Sequence, residues 1–144
     1  RRSLRRCRRS EPANSVAEQA TFGIAGLLGW PVAHSRSPVI HNHWLAHYGI
    51  PGRYVLFAVP PEKLEAAVRG IATLGLRGCN VTTPHKQAVM ALIDDVDPLA
   101  RRIGAVNTIV VQEDGSLRGF IGRIRVGLEL IGMHDELSRV PGDR

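Results

Sequence analysis

Cysteine is scarce in this 144-residue chain. The two present, Cys7 and Cys79, build no disulfide framework. His41, His43 and His47 lie close together, but no Cys or carboxylate joins them at zinc-site spacing, so no metal site is expected. That cysteine usage fits a reducing cytoplasm, the expected location. Long apolar runs are missing too: Gly, Pro, His and charged residues interrupt every hydrophobic stretch before the roughly 18 to 20 residues that span a bilayer. No membrane partner is therefore expected.

A basic surface spread along the chain is also lacking, although the formal net charge is +6. Arg1, Arg2, Arg5, Arg6, Arg8 and Arg9 crowd the first ten residues with no acid among them, and the rest of the chain balances 13 basic against 13 acidic residues. An Arg-rich, acid-poor tail could bind phosphate backbones without specificity or pass for a transit peptide. With no amphipathic repeat and no aromatic side chain to stack on bases, residues 1–20 read as a disordered extension. No specific nucleic-acid partner is expected.

Hydrophobic residues make up 44% of the chain, enough for one domain with a core and too few residues for two full domains. From Phe22 short apolar runs alternate with helical stretches, the pattern of an α/β fold: a mostly parallel sheet with helices on both faces, in three layers, closed by a β-hairpin. Phe22 to Leu28 reads as the first strand. Ser37-Pro38 starts a helix, serine as N-cap and proline at the first helical position, with Ile40, Trp44 and Tyr48 on one face. Gly49 and Pro51 end it before a second strand over Arg53 to Val59.

Leu64, Ala67, Val68, Ile71 and Leu74 recur at steps of three or four, the apolar stripe of a helix on a sheet. Leu76 to Val81 reads as a buried central strand feeding a helix over Pro84 to Ile93. Ala105 to Gln112 is a further strand, which Asp114-Gly115 folds back into a hairpin ending near Phe120. The domain thus spans 21–120. Residues 121–144 form a separate segment in which Ile124, Leu128 and Ile131 keep helical spacing, against Gly122, Gly127 and Gly132.

Four segments put small polar groups at strand ends, where open α/β sheets bind ligands: Ser35-Arg36-Ser37-Pro38, Asn80-Val81-Thr82-Thr83-Pro84-His85-Lys86, Gly104-Ala105-Val106-Asn107-Thr108 and Gly119-Phe120. Singly each has a structural use, as a helix cap or a side chain bonded to its own backbone. Together and in this order, with Gly29 to His34 leading into the first, they closely resemble the N-terminal domain of shikimate dehydrogenases over Phe22 to Phe120.

The resemblance implies roles. Ser35 and Ser37 would hydrogen-bond the carboxylate of shikimate or 3-dehydroshikimate, near a helix N-terminus that favours anions. Asn80, Thr82 and Asn107 would hold the ring hydroxyls, and Lys86 would be both substrate-binding and catalytic, moving the proton while hydride passes to or from NADP. In the first turn of the Pro84–Ile93 helix, Lys86 would meet a dipole that eases release of its proton. The implied reaction is the reversible NADP-dependent reduction of 3-dehydroshikimate to shikimate, in the shikimate pathway to chorismate and the aromatic amino acids.

Two departures bear on that expectation. The family continues after the hairpin with Asn-Thr-Asp-Gly, whose aspartate pairs with the lysine, whereas this chain reads Ile121-Gly122-Arg123-Ile124-Arg125-Val126-Gly127 with no carboxylate before Glu129. No catalytic aspartate is therefore assigned, and Arg123 or Arg125 would repel Lys86. Only 24 residues follow Phe120, and a βαβ unit takes about 30. Gly23-Ile24-Ala25-Gly26 lies inside a strand and is no phosphate loop. The expectation is a truncated substrate-binding domain, lacking the NADP-binding domain, binding no cofactor and unable to turn over alone. Its shikimate affinity would be no better than roughly millimolar. The alternative is a non-catalytic shikimate- or quinate-binding or dimerising module, for which a homodimer is the partner.

Overall fold

The computed structural model describes residues 22–122. Strand β1 (Gly23–Gly29) runs parallel to β2 (Gly52–Ala58) on one side and β3 (Gly78–Val81) on the other. Beyond β3 come β5 (Thr108–Val111) and β6 (Leu117–Phe120), each antiparallel to its predecessor in the sheet, and then β4 (Asp95–Val96), parallel to β6. The six-stranded order is β2-β1-β3-β5-β6-β4, with most pairings parallel, as the sequence implies.

Alternation along β1 sends Ala25 and Leu27 to one face and Leu28 to the other, and each face has its own core. Helix α1 (Ser37–His47) covers the first with Leu45, which packs with Ala25, Leu27, Val32 and Tyr54. Helix α2 (Leu64–Thr73) covers the second with Leu64, Val68 and Ile71, beside Val81, Val106 and Ile109. Ala100 of α3 (Pro98–Ile103) joins that second core, completing three layers. Among the described residues no helix is long and apolar enough to cross a membrane.

Both long helices end by the same device. Gly49 and Gly75 take positive φ, and the amides of Ile50 and Leu76 reach back to the carbonyls of Leu45 and Ile71, at 2.9 and 3.0 Å. The hairpin also forms as expected: Asp114 Oδ1 accepts from the Ser116 amide at 2.9 Å, and Gly115 takes φ 83°.

Three expectations need correction. Ser37 does not cap α1: Arg36 stands at that position and Ser37 is the first helical residue. Ile40, Trp44 and Tyr48 do share a face, but it stays largely in water, because Asn42 clamps the helix to β2 through both backbone groups of Tyr54 at 2.9 Å and so turns Leu45 inward. Finally, Pro84–Ile93 is not an α-helix. It is a pair of turns and a short 3₁₀ segment, Ala88–Ala91, since the Lys86 carbonyl accepts the Val106 amide at 2.8 Å and Met90 must bond Gln87 instead.

Helix α3 and β4 were not expected, although Asp97-Pro98 and Gly104 are start and stop signals. Asp97 Oδ1 accepts from the Leu99 amide at 3.0 Å and Gly104 is left-handed. The helical spacing of Ile124, Leu128 and Ile131 lies outside the described residues.

The burial pattern predicts that Ile109→Ala, which empties a fully buried site on β5, lowers unfolding free energy by about 2–5 kcal/mol in urea titrations. Leu74→Ala, at a position 75% exposed, should stay within about 0.5 kcal/mol of the parent chain.

Candidate functional site

Because β1 and β3 are parallel and β5 opposes β3, the ends of β1 and β3 and the start of β5 lie along the same edge of the sheet. The polar segments follow or precede those ends, and backbone bonds stitch them together. The Thr82 amide donates to the Leu28 carbonyl at 2.9 Å and the Trp30 amide to Thr83 at 3.1 Å, joining the first segment to the second. The Val81 amide donates to Asn107, and the Val106 amide to Lys86, both at 2.8 Å, joining the second to the third. The Asn107 amide donates to Phe120 at 2.9 Å, which brings in the fourth.

Glycine permits the approach. A Cβ at Gly29 would collide with the Thr82 methyl and with Val32, so any other residue there would push the first two segments apart.

Side chains then link most of the expected residues. Ser35 Oγ donates to Ser37 Oγ at 3.1 Å and accepts from the Ser37 amide at 3.2 Å. With Pro38 lacking an N–H and the amides of Val39 and Ile40 bonded to the Arg36 carbonyl, the first turn of α1 has its amides engaged. What this turn has left to offer a ligand is the pair of serine hydroxyls.

One turn on, His41 Nδ1 donates to the Ser37 carbonyl at 2.8 Å, and its ring stacks on Tyr54 with centroids 4.0 Å apart and planes 10° apart. The Tyr54 hydroxyl donates to Asn80 Oδ1 at 2.7 Å. Asn80 Nδ2 donates to Thr108 Oγ1 at 3.0 Å, and Thr108 Oγ1 donates to Asn107 Oδ1 at 3.2 Å.

Thr82 and Lys86, both half-buried, are tied in through their backbones. Beside Lys86, the buried His85 donates from Nε2 to the Val59 carbonyl at 2.7 Å, which anchors the turn to the end of β2. With no α-helix at Pro84–Ile93, the dipole expected to act on Lys86 is not there. Tyr54, His41, Thr108 and His85 were not among the expected site residues. His41 one turn after Ser37 was a readable hint, while Tyr54 looks like any strand aromatic until β2 is placed beside β1.

Electrostatics follow burial. The four segments contain Arg36 and Lys86 and no carboxylate, a balance suited to an anionic ligand. Desolvation raises the Tyr54 phenol well above its ordinary value, so it remains a donor at any physiological pH. Burial likewise pushes the Cys79 thiol up to about 12, leaving it inert. Burial holds His41 below the ordinary imidazole value, partly offset by its bond to the Ser37 carbonyl.

The run over residues 23–26 forms no dinucleotide cradle. Gly23 and Gly26 sit inside β1, where a Cβ at Gly26 would strike the Val55 carbonyl and the Phe57 ring, so they serve strand packing rather than a phosphate cradle. An open depression lined by Asp95, Gln112, Glu113, Asp114, Ser116 and Arg118 lies at the β4 edge of the sheet and includes none of the expected residues.

Known proteins match this arrangement. The family described as the shikimate dehydrogenase substrate binding domain matches residues 27–109. The NADP(+) shikimate dehydrogenase of Paramagnetospirillum magneticum is 59% identical over 96 residues, covering 67% of this chain and 35% of that protein. The crystal structure of the Thermus thermophilus shikimate 5-dehydrogenase, in complex with NADP(H) and shikimate, superposes with a TM-score of 0.65 at 42% identity, over 68% of this chain and 37% of that one. The ligand-free 5-ketofructose reductase of a Gluconobacter species has a TM-score of 0.66 at 32% identity, over 69% and 35%. The chain spans about a third of the length of the curated relatives it matches.

The lowered His41 value carries a sign. The folded state gives up this proton at lower pH than the unfolded chain does, so between the two values the unfolded state binds more protons and stability increases with pH. Stability should therefore fall as pH drops from about 7 to about 5.5, and His41→Phe, which keeps an aromatic ring against Tyr54, should flatten that slope in urea midpoints.

Proposed function

This chain belongs to the shikimate dehydrogenase substrate-binding domain family, and on that premise we propose that it binds shikimate and 3-dehydroshikimate in the crevice bounded by its four polar segments. The observation that carries the reading is the stitching of those segments, free of carboxylates, along one sheet edge. In it Ser35 and Ser37 offer hydroxyls to the ligand carboxylate, while Asn80, Thr82 and Asn107 offer amides and a hydroxyl to the ring hydroxyls. Shikimate accompanies the related Thermus enzyme in its crystal structure, which supports that ligand here.

The proton chemistry falls to Lys86. Its ammonium would protonate the oxygen of the carbonyl being reduced, and in the other direction its amine would take the proton of the hydroxyl. NADP, specified in the names of the relatives, would supply or receive the hydride when bound. On this reading the chain supplies the substrate half of the reversible reduction of 3-dehydroshikimate.

Titrating shikimate into the ¹⁵N-labelled chain tests the proposal. Saturable shifts at Ser35, Ser37, Asn80, Thr82, Lys86 and Asn107, with Kd about millimolar, are expected. Ser37→Ala and Asn107→Ala should each weaken binding by about fivefold or more. 5-Ketofructose, titrated in parallel, should give no saturation in that range. Shifts centred on the β4 edge, or equal affinity for both ligands, would sink the assignment.

A further inference from the structure

We propose that Tyr54 is a positioning residue: as the fixed donor at the head of a hydrogen-bond relay, it sets the orientation of both asparagine amides, so that Asn107 meets the ligand with N–H donors alone. The inference rests on the substrate site proposed above and adds to it the polarity that one subsite presents.

The relay is Tyr54 O–H to Asn80 Oδ1 (2.7 Å), Asn80 Nδ2 to Thr108 Oγ1 (3.0 Å), and Thr108 O–H to Asn107 Oδ1 (3.2 Å). A primary amide can turn over and exchange its oxygen for its nitrogen, so the chain could in principle run either way. Its head decides the direction. Tyr54 is 1% exposed, and the Asn80 side chain is the partner its hydroxyl has among the described residues. If Asn80 turned Nδ2 toward the phenol, the phenol hydrogen would be buried without an acceptor, and that cost opposes the reversed relay.

With Asn80 Oδ1 committed to Tyr54, Nδ2 must donate to Thr108. The Thr108 hydroxyl, accepting from Asn80, keeps its single hydrogen to donate, and the bond it makes is to Asn107 Oδ1, which holds that oxygen inward. Among the described residues no group takes the Asn107 side-chain N–H donors, which leaves them for a ligand atom that accepts, such as a hydroxyl or carboxylate oxygen. Tyr54 is itself held by α1, through two backbone bonds to Asn42 and the stacked His41 ring, so the head of the relay does not swing. Burial keeps the phenol protonated.

The test uses the full chain with Tyr54→Phe, Thr108→Val and Thr108→Ser, read by the side-chain NH₂ resonances of Asn107 and by shikimate titration. Tyr54→Phe should move the Asn107 NH₂ pair although Tyr54 hydrogen-bonds Asn80 and not Asn107, and should weaken shikimate binding by about three- to tenfold. Thr108→Val should weaken it similarly, whereas Thr108→Ser, which keeps the hydroxyl, should bind like the parent chain. A packing role predicts the opposite order, since valine fills the threonine volume and serine does not.

Unmoved Asn107 resonances in Tyr54→Phe, or valine outperforming serine, would overturn the relay while leaving the substrate assignment standing. If the parent chain fails to bind shikimate yet its Asn107 resonances respond to Tyr54→Phe, the relay stands and the substrate assignment falls.

Discussion

The hydrogen bond between the buried Tyr54 hydroxyl and Asn80 is the joint on which the candidate site turns. On one side of it, Tyr54 is gripped by α1 through Asn42 and His41, and α1 begins at the loop that carries Ser35 and Ser37. On the other side, Asn80 passes the connection through Thr108 to Asn107. Three parts of the chain far apart in sequence are thereby held in register by side chains as well as by the β-ladder. A buried polar chain of this kind is costly if any member lacks a partner, and here each link has one. The same demand for partners explains the missing helix after β3. The Lys86 carbonyl is committed to Val106, so the segment gives up regular helical bonding and gains attachment to the strand that brings in Asn107.

Much of this was legible in the sequence for physical reasons that can be named. The stripe Leu64, Val68 and Ile71 could only be a helix packed on a sheet, Asp114-Gly115 could hardly be other than a hairpin turn, and the four polar segments sat at the predicted strand ends. What escaped reading depended on tertiary bonds. Apolar spacing marks Ile40, Trp44 and Tyr48 as the natural inner face of α1, and the polar Asn42 overrides it by bonding the β2 backbone. Nothing local announces that His85 turns inward to Val59 or that Lys86 bonds Val106. Helix α3 is a different case, because Asp97-Pro98 and Gly104 are start and stop signals visible in the sequence itself.

The family assignment and the geometry constrain each other. Resemblance to the family raises the expectation that serines, asparagines and a lysine matter, and the geometry adds how they are held: the amides at the first turn of α1 are already engaged, which leaves its two serine hydroxyls, and Tyr54 stands behind the asparagines. After the hairpin the chain reads Ile121-Gly122-Arg123, with no carboxylate before Glu129.

The most direct measurement of the central claim is a crystal structure of this chain grown with shikimate. The account predicts density for the ring against the edge where β1 and β3 end, its carboxylate on Ser35 and Ser37, a ring oxygen on Asn107 Nδ2 and another within reach of Lys86 Nζ. An ordered ligand bound away from those residues, or Lys86 turned to another side of the molecule while shikimate occupies the crevice, would contradict it.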